Sequence, residues 1–539
     1  MQQVQRSREL DRILALPRRQ WADEGFAAEL TKCLKRPGGT MTLLPIQAQA
    51  LCELIASDGL VAPIRVGGGK TLITLLAPRV VRAKRPLLVT RAGLLEKTRH
   101  DIRELSRHWQ IPNWIRVVSY ELLGLVQHAQ LLFRYLPDLV ICDEAHCVRN
   151  LRASRTRRLA RYLTAHPATK FVALSGTLIA RSLHDYAHFF TWALRDRAPV
   201  PSVWSDLEAW SEAALSVRRE SQPPRKLGLG ALEVFGRSVE EVQAGFQRRL
   251  VDTQGVVTTT EAGLSASLTI HSVRFALPAQ ITRALKDLRD TWVTLDGWPL
   301  SDPMAVTRHL RELVLGFYYI WDPRPPPAWL LPRREWAATC RHILESNRRD
   351  LDSELAVTQA VDAGHYPAAS GALTAWRAVR PTFEAHVRPV WLDTYAVDWC
   401  AKWLLEAGIC WTEQSAFARK LEEVSGVPYF GPQGRDARGR YVESMQGASI
   451  IASIKANSEG KNLQAWNRNL VSSCPSTGEC WEQLLGRTHR FGQEADEVTC
   501  DLLLLSAEQE RAWEQARSDA RFQQQSTGQA QKLEYGDMT

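Results

Sequence analysis

Leu139-Val140-Ile141-Cys142-Asp143-Glu144-Ala145-His146 is an apolar run that ends in two adjacent carboxylates and a histidine. A short continuous apolar run reads as a strand buried on both faces. Side chains alternate along a strand, so two neighbouring acids at its tip face different partners. A strand running into an acidic helix cap would look the same in isolation. Order along the chain separates the two readings, because a glycine-rich stretch, Val66-Gly67-Gly68-Gly69-Lys70-Thr71, lies upstream. It follows an apolar run and precedes a helical stretch over 72–77. Glycines let the backbone N–H groups close around phosphates, and a helix N-terminus adds a favourable dipole. In such a loop Lys70 reaches the terminal phosphates, and the Thr71 hydroxyl ligates Mg²⁺. Asp143 then holds the same ion through water, and Glu144 orients and deprotonates an attacking water. ATP and Mg²⁺ are the ligands this pairing predicts. The loop departs from GxxxxGK[ST] in having Ile64 where the first glycine belongs.

Working outward, residues 40–200 alternate β-rich apolar runs with helical stretches. Strands are expected over 60–66, 86–90, 115–119, 138–142 and 170–175. The alternation returns over 393–510, with strands at 408–411, 449–454, 468–472 and 497–505. This pattern argues for parallel sheets with helices on both faces. Residues 1–39 read as a polar helical segment closed by Arg36-Pro37-Gly38-Gly39. Residues 201–392 read as a mostly helical inserted region, broken by prolines and rich in Trp and Arg. Its tryptophans (Trp292, Trp298, Trp321, Trp329 and Trp336 among them) are expected as packing anchors rather than base-stacking platforms. Residues 511–539 read as a polar, disordered tail.

With these two elements in order, the chain resembles the DEAH-box helicases and translocases of superfamily two, and further stretches follow in that family's sequence. Ser175-Gly176-Thr177 resembles the motif that couples hydrolysis to lobe movement. Gly408-Ile409-Cys410-Trp411 resembles the strand of motif IV. The run from Ser453 through Gly460 to Gln464 resembles motif V. Gln483-Leu484-Leu485-Gly486-Arg487-Thr488-His489-Arg490-Phe491-Gly492-Gln493 is similar to motif VI of Swi/Snf-type motors. The resemblance covers about 40–200 and 393–510, and it implies two RecA-like doubly wound lobes with ATP between them. On one helix Gln483, Arg487 and Arg490 would share a face. Arg490 is then expected as the arginine finger and Arg487 as its partner, since a planar guanidinium spreads charge over a leaving phosphate. His146 would sense the other lobe, Gly460 would approach the nucleotide, and Gln47 in Leu43-Leu44-Pro45-Ile46-Gln47 would read adenine. Arg91 and Ser119 match positions that touch the nucleic-acid backbone. Departures are Asn457 and Ser458 where glycines are usual, Lys461 for leucine, and Ser175 for threonine. With the short chain and no reader modules, they set the resemblance nearer phage or bacterial relatives than chromatin enzymes.

The implied function is an ATP-dependent helicase or double-strand translocase, acting on DNA rather than RNA. A nucleotide-gated remodelling switch, or the motor subunit of a restriction or defence complex with a separate nuclease, would share every motif. Replication or recombination proteins are further expected partners, and a monomeric motor is the expected form. A metabolic phosphate-loop kinase would leave motifs V and VI unexplained. Composition is compatible with these readings. The net charge is +9, with 68 Lys+Arg against 59 Asp+Glu, which suits a polyanion partner. The ten cysteines form no CxxC pair and read as small buried apolar residues. The arginines from Arg149 to Arg161 read as a solvated helix face before a nucleic-acid track. No apolar stretch is long enough for a signal peptide or a membrane span, so no membrane partner and a cytoplasmic setting are expected.

Overall fold

A computed structural model describes residues 2–19, 26–65, 67–176, 182–216, 225–259, 266–346, 351, 353–384, 386–445, 447–458, 460–490 and 492–538. Its strands are, in chain order, β1 (Leu60–Pro63), β2 (Pro86–Thr90), β3 (Arg116–Ser119), β4 (Leu139–Asp143), β5 (Lys170–Ser175), β6 (Ser267–Val273), β7 (Phe317–Trp321), β8 (Val387–Trp391), β9 (Ile409–Thr412), β10 (Tyr429–Phe430), β11 (Ile450–Ser453), β12 (Arg468–Val471), β13 (Glu497–Leu503) and β14 (Asp537–Met538). A two-residue pairing of Gln2–Gln3 with Leu227–Gly228 lies outside these sheets. The fold is α/β with two parallel sheets. The first has five strands in the order β1-β5-β4-β2-β3, and the second has seven in the order β10-β11-β9-β12-β13-β6-β14.

Both faces of each sheet are covered, which is why the strands are nearly all apolar. Along β4, Leu139 and Ile141 pack with the helices Pro45–Ser57 and Lys70–Val80. Val140 and Cys142 point the other way, into a core shared with Leu159, Phe190, Trp210 and Phe246. In the second sheet Trp411 and Val471 face a core that includes Trp481. Their neighbours Cys410 and Leu470 pack under the helices Ala279–Thr291 and Pro303–Leu313.

Two expectations are corrected here. Residues 201–392 are not one inserted region. Leu207, Trp210, Val242 and Phe246 belong to the first sheet's core. From Ser267 the chain is already in the second sheet, where β6 pairs with β13 along its whole length. Only the helices Pro327–Glu345, Glu354–Asp362 and Ser370–Val379 enclose a core of their own, carried on the antiparallel ribbon β7–β8. The tail is not disordered either. Helix Ala507–Thr527 packs its small Ala512, Ala516 and Ala520 onto the second core, while Phe522 enters the first. The arginines after β4 also find local partners. Arg155 donates to the Cys147 carbonyl, Arg158 to the Leu123 and Leu125 carbonyls, and Arg149 reaches across to Glu479.

Beyond that helix the chain buries Lys532, whose backbone N–H donates to Glu482 (2.9 Å) and whose Nζ lies 3.4 Å from His489 Nδ1. His489 donates through Nε2 to the Ala266 carbonyl (2.9 Å). Burial first, and then the Lys532 charge, push its pKa down to about 4. A histidine with a depressed folded pKa contributes stability that is present above its ordinary value, near 6.5, and is lost as pH falls toward the folded one. The loss from this group is about 3 kcal/mol. The expected outcome is a urea midpoint that drops between pH 7 and pH 4.5, with a shallower drop in His489→Gln, which keeps an N–H donor. Superimposable pH profiles would contradict it.

Candidate active site

The glycine-rich loop turns directly from β1 into helix Lys70–Val80, with Gly67 (φ 86°) and Gly69 (φ 75°) in the left-handed region. Glycine adopts that conformation without strain. Gln47 braces the loop rather than standing free for a base. Its Oε1 accepts the Leu44 N–H (2.8 Å), and its Nε2 donates to the Gly69 carbonyl (3.1 Å). A Cβ on Gly69 would collide with that amide, and one on Gly68 with Ile64. Lys70 Nζ donates to the Ile64 and Arg65 carbonyls, at 3.1 and 3.3 Å. Thr71 lines the same cavity, of about 160 Å³, whose walls also include Asp143, Glu144, Gly460, Arg487 and Arg490. The cavity therefore joins loop, acid pair and second-sheet arginines in one space.

Glu144 sits in the left-handed region (φ 53°), an uncommon conformation for a side chain of its size. Asp143 is pushed up, chiefly by burial and then by the Glu144 charge. Burial works against the Glu144 charge too, but Lys70, the hydrogen bond with His146 and the Arg487 charge hold it below the usual carboxylate range. A buried carboxylate with a like charge beside it is stabilised by a bound cation. Asp143 together with the Thr71 hydroxyl is an all-oxygen donor set that fits Mg²⁺.

The second sheet contributes helix Gly478–Thr488 and the turn after it. The helix stops at Thr488 and His489 leaves helical geometry, so Arg490 lies beyond the helix that carries Gln483 and Arg487. That departure corrects the expectation of a shared helical face. It brings Arg490 against the loop, where a Cβ on Gly67 would stand 3.8 Å from Arg490 Nε. Arg490 Nη1 donates to the Lys461 carbonyl (3.5 Å), while its Nε, like Gln483 Nε2, is buried with no acceptor among the described residues. Arg487 donates to the Gln483 and Lys461 carbonyls, at 3.0 and 3.1 Å. Gly460 packs so closely on Leu94 that a side chain there would collide.

A second cross-sheet contact centres on Glu479. His146 Nε2 lies 3.1 Å from Glu479 Oε1, and Arg149 donates to Oε2 at 2.6 Å. His146 Nδ1 lies 2.9 Å from Ser175 Oγ, which in turn donates to Glu144 at 3.5 Å. Burial opposes the imidazolium, but the Glu479 charge raises the His146 pKa well above its ordinary value. Arg91 joins this cluster, with Nη2 3.2 Å from His146 Nε2 and Nε donating to Cys147 Sγ. Ser119 caps helix Tyr120–Gly124 by accepting from the Leu122 N–H. Both expected backbone contacts are thus engaged inside the protein. The Gly176 carbonyl accepts from Gln523 (2.9 Å) and Gln529 (3.0 Å), both reaching over from the C-terminal segment. Thr177, along with Val66, Glu459 and Phe491 of the motif stretches, lies outside the described residues.

Sequence reasoning missed Glu479, Lys97 and Asp101. Lys97 and Asp101 line the cavity from helix Leu95–Leu105, and burial depresses the Lys97 pKa. Nothing local marks them, since an i,i+4 Lys/Asp pair is common on solvated helices. Glu479 had a faint signal, one turn ahead of Gln483 on the same helix. The sequence matches no protein-family model and no curated protein.

Removing Glu479 takes away the carboxylate that His146 and Arg149 share, and breaking a buried pair of this kind costs about 3–5 kcal/mol. Glu479→Ala is expected to loosen the contact between the sheets, with a larger radius of gyration in small-angle scattering and faster amide exchange at Ser175 and Gly176. An unchanged radius and unchanged exchange would contradict this.

Proposed function

We propose that the chain is an ATP-hydrolysing nucleic-acid motor, its two parallel-sheet bodies acting as RecA-like lobes. The observation that carries this reading is Arg490 of the second lobe standing against Gly67 of the glycine-rich loop, its Nε buried with no acceptor among the described residues. A donor held without an acceptor is costly, and a phosphate in the loop would supply one. Lys70 and the loop N–H groups bind and orient the phosphates. Thr71 and, through water, Asp143 would hold Mg²⁺, which neutralises charge on the phosphate oxygens when bound. Glu144, kept ionised, takes a proton from the attacking water. Arg487 and Arg490 stabilise the charge that spreads over the transferred group. His146 and Ser175 link Glu144 to Glu479, so the acid's position follows that of the second lobe.

Lobe cycling coupled to hydrolysis would move the protein along a polymer held through its phosphates, in a salt-sensitive and largely sequence-independent way. The net charge of +9 supports a polyanion. DNA is favoured by the likeness of the 483–493 stretch to Swi/Snf-type motors.

The test is steady-state ATP hydrolysis alone and with single-stranded DNA, duplex DNA and RNA. Lys70→Ala and Glu144→Gln are each expected to lower kcat at least about 10²-fold, and Arg490→Ala about 10³-fold. Stimulation by duplex DNA indicates a translocase, and stimulation by single strands an unwinding enzyme. RNA stimulation alone overturns the DNA assignment. Hydrolysis that no polymer stimulates and no substitution lowers contradicts the reading.

A further inference from the structure

The small helical body on the β7–β8 ribbon takes no part in the site between the lobes, yet it has a cavity of its own. That cavity, about 330 Å³, is walled by Trp321, Trp329, Trp376 and Phe383 and edged by Arg333, Arg380 and the carboxylate of Glu354. Its volume falls within the range of small-ligand sites, about 300–1,000 Å³. Trp329 stands edge-on to Trp321 (5.6 Å, 87°) and to Trp376 (4.9 Å, 77°), so the indoles meet at right angles and leave a corner rather than a filled stack. The wider tryptophan cluster does include pure packing, as in the fully buried Trp336. Trp329 and Trp376 are buried in that core as well, and the half-buried Trp321 is the indole that opens on the cavity.

Arg333 decides what the corner would accept. Its guanidinium carbon lies 5.2 Å from the Trp321 ring centre and 5.7 Å from those of Trp329 and Trp376. None of the hydrogen bonds or ion pairs among the described residues involves it. The carboxylate beside it, Glu354, is already engaged by Trp336 Nε1 (2.8 Å) and Ser301 Oγ (2.5 Å). A guanidinium offers five donors in a rigid fork, here against flat π surfaces and without an acceptor. Burial depresses its pKa against the opposing charge of Glu354, and the charges of Arg308 and Arg380 add to the depression. A cationic ligand is therefore disfavoured, because a cation already occupies the rings and two more stand near. A flat ring with acceptors along one edge matches both surfaces. It would lie against indole and take hydrogen bonds from the fork, as guanine O6 and N7 do.

We propose that this cavity binds one unpaired nucleobase of a single strand, with Arg333 on its acceptor edge and the exposed Arg380 on a neighbouring phosphate. The proposal rests on the nucleic-acid motor reading. It adds that the chain holds a strand whose bases are free, as at a single-stranded segment or a fork, since a closed duplex offers no unpaired ring.

The experiment uses the full chain and fluorescence anisotropy. The probes are a labelled mixed-sequence single strand, the same strand with abasic sites, and a blunt duplex. The variants Arg380→Glu and Phe383→Ala sit at the cavity's edge, and unchanged thermal unfolding midpoints establish that they fold. Each is expected to weaken single-strand binding about tenfold, with duplex binding and basal ATP hydrolysis unchanged. Abasic sites are expected to weaken binding to the wild type by a similar factor. Variants that bind the single strand as tightly as wild type overturn the proposal. So does an abasic strand that binds as well as the intact one, which would mean contacts to phosphates only. If single strands fail to bind while hydrolysis still depends on Lys70, the base site fails and the motor reading stands. If hydrolysis itself is insensitive to Lys70→Ala, the motor reading fails first.

Discussion

Glu479 carries one negative charge into a space where Arg91, His146 and Arg149 present positive ones. All four groups are largely removed from water, where opposite charges interact strongly and an unpaired one is costly. The carboxylate belongs to one sheet and its partners to the other. The two bodies meet where that charge is balanced, and the rest of the site inherits its geometry from this meeting. Helix Gly478–Thr488 is thereby held with its far end over the glycine-rich loop, and Arg490 reaches Gly67.

Two other contacts reinforce the arrangement. Gly460 lets the second body approach Leu94 more closely than any side chain would allow. The C-terminal segment crosses back, with Phe522 in the first core and Gln523 and Gln529 both donating to the Gly176 carbonyl. Gly176 adjoins Ser175, which touches both His146 and Glu144. A displacement of the second body would therefore be felt at Glu144 through a short chain of hydrogen bonds.

Much of the sheet core was legible because its strands are buried on both faces and so read as unbroken apolar runs, as in 139–142 and 170–174. β6 was not, because in Ser267–Val273 the core-facing Leu268 and Ile270 are interleaved with threonine, histidine and serine, and Val273 is only partly buried against the opposite core. The tail escaped for a different reason. Its buried polar groups include Gln523, Gln529 and Lys532, which reach partners distant in sequence, and its helix packs through alanines against Gly478, where a Cβ would meet the Ala520 N–H and the Ala516 carbonyl. At the site, the loop, the acid pair and the arginines were legible as a group because their spacings match a known motif order, and the fold brings them to one cavity. Gln47, Arg91 and Ser119 went elsewhere, because each found an internal partner that no local spacing reveals. Lys97 and Glu479 acquire meaning only once the two sheets are brought together.

The central claim is that one phosphate site is made by Lys70 from one body and Arg490 from the other. The most direct measurement is a double-mutant cycle on kcat for ATP hydrolysis with Lys70→Ala, Arg490→Ala and the double variant. Groups acting on the same transition-state charge are strongly non-additive. The account predicts a double variant scarcely slower than the slower single one. Losses that multiply would mean that the two residues act independently, and an Arg490→Ala variant with wild-type kcat would mean that the second body does not complete the site at all.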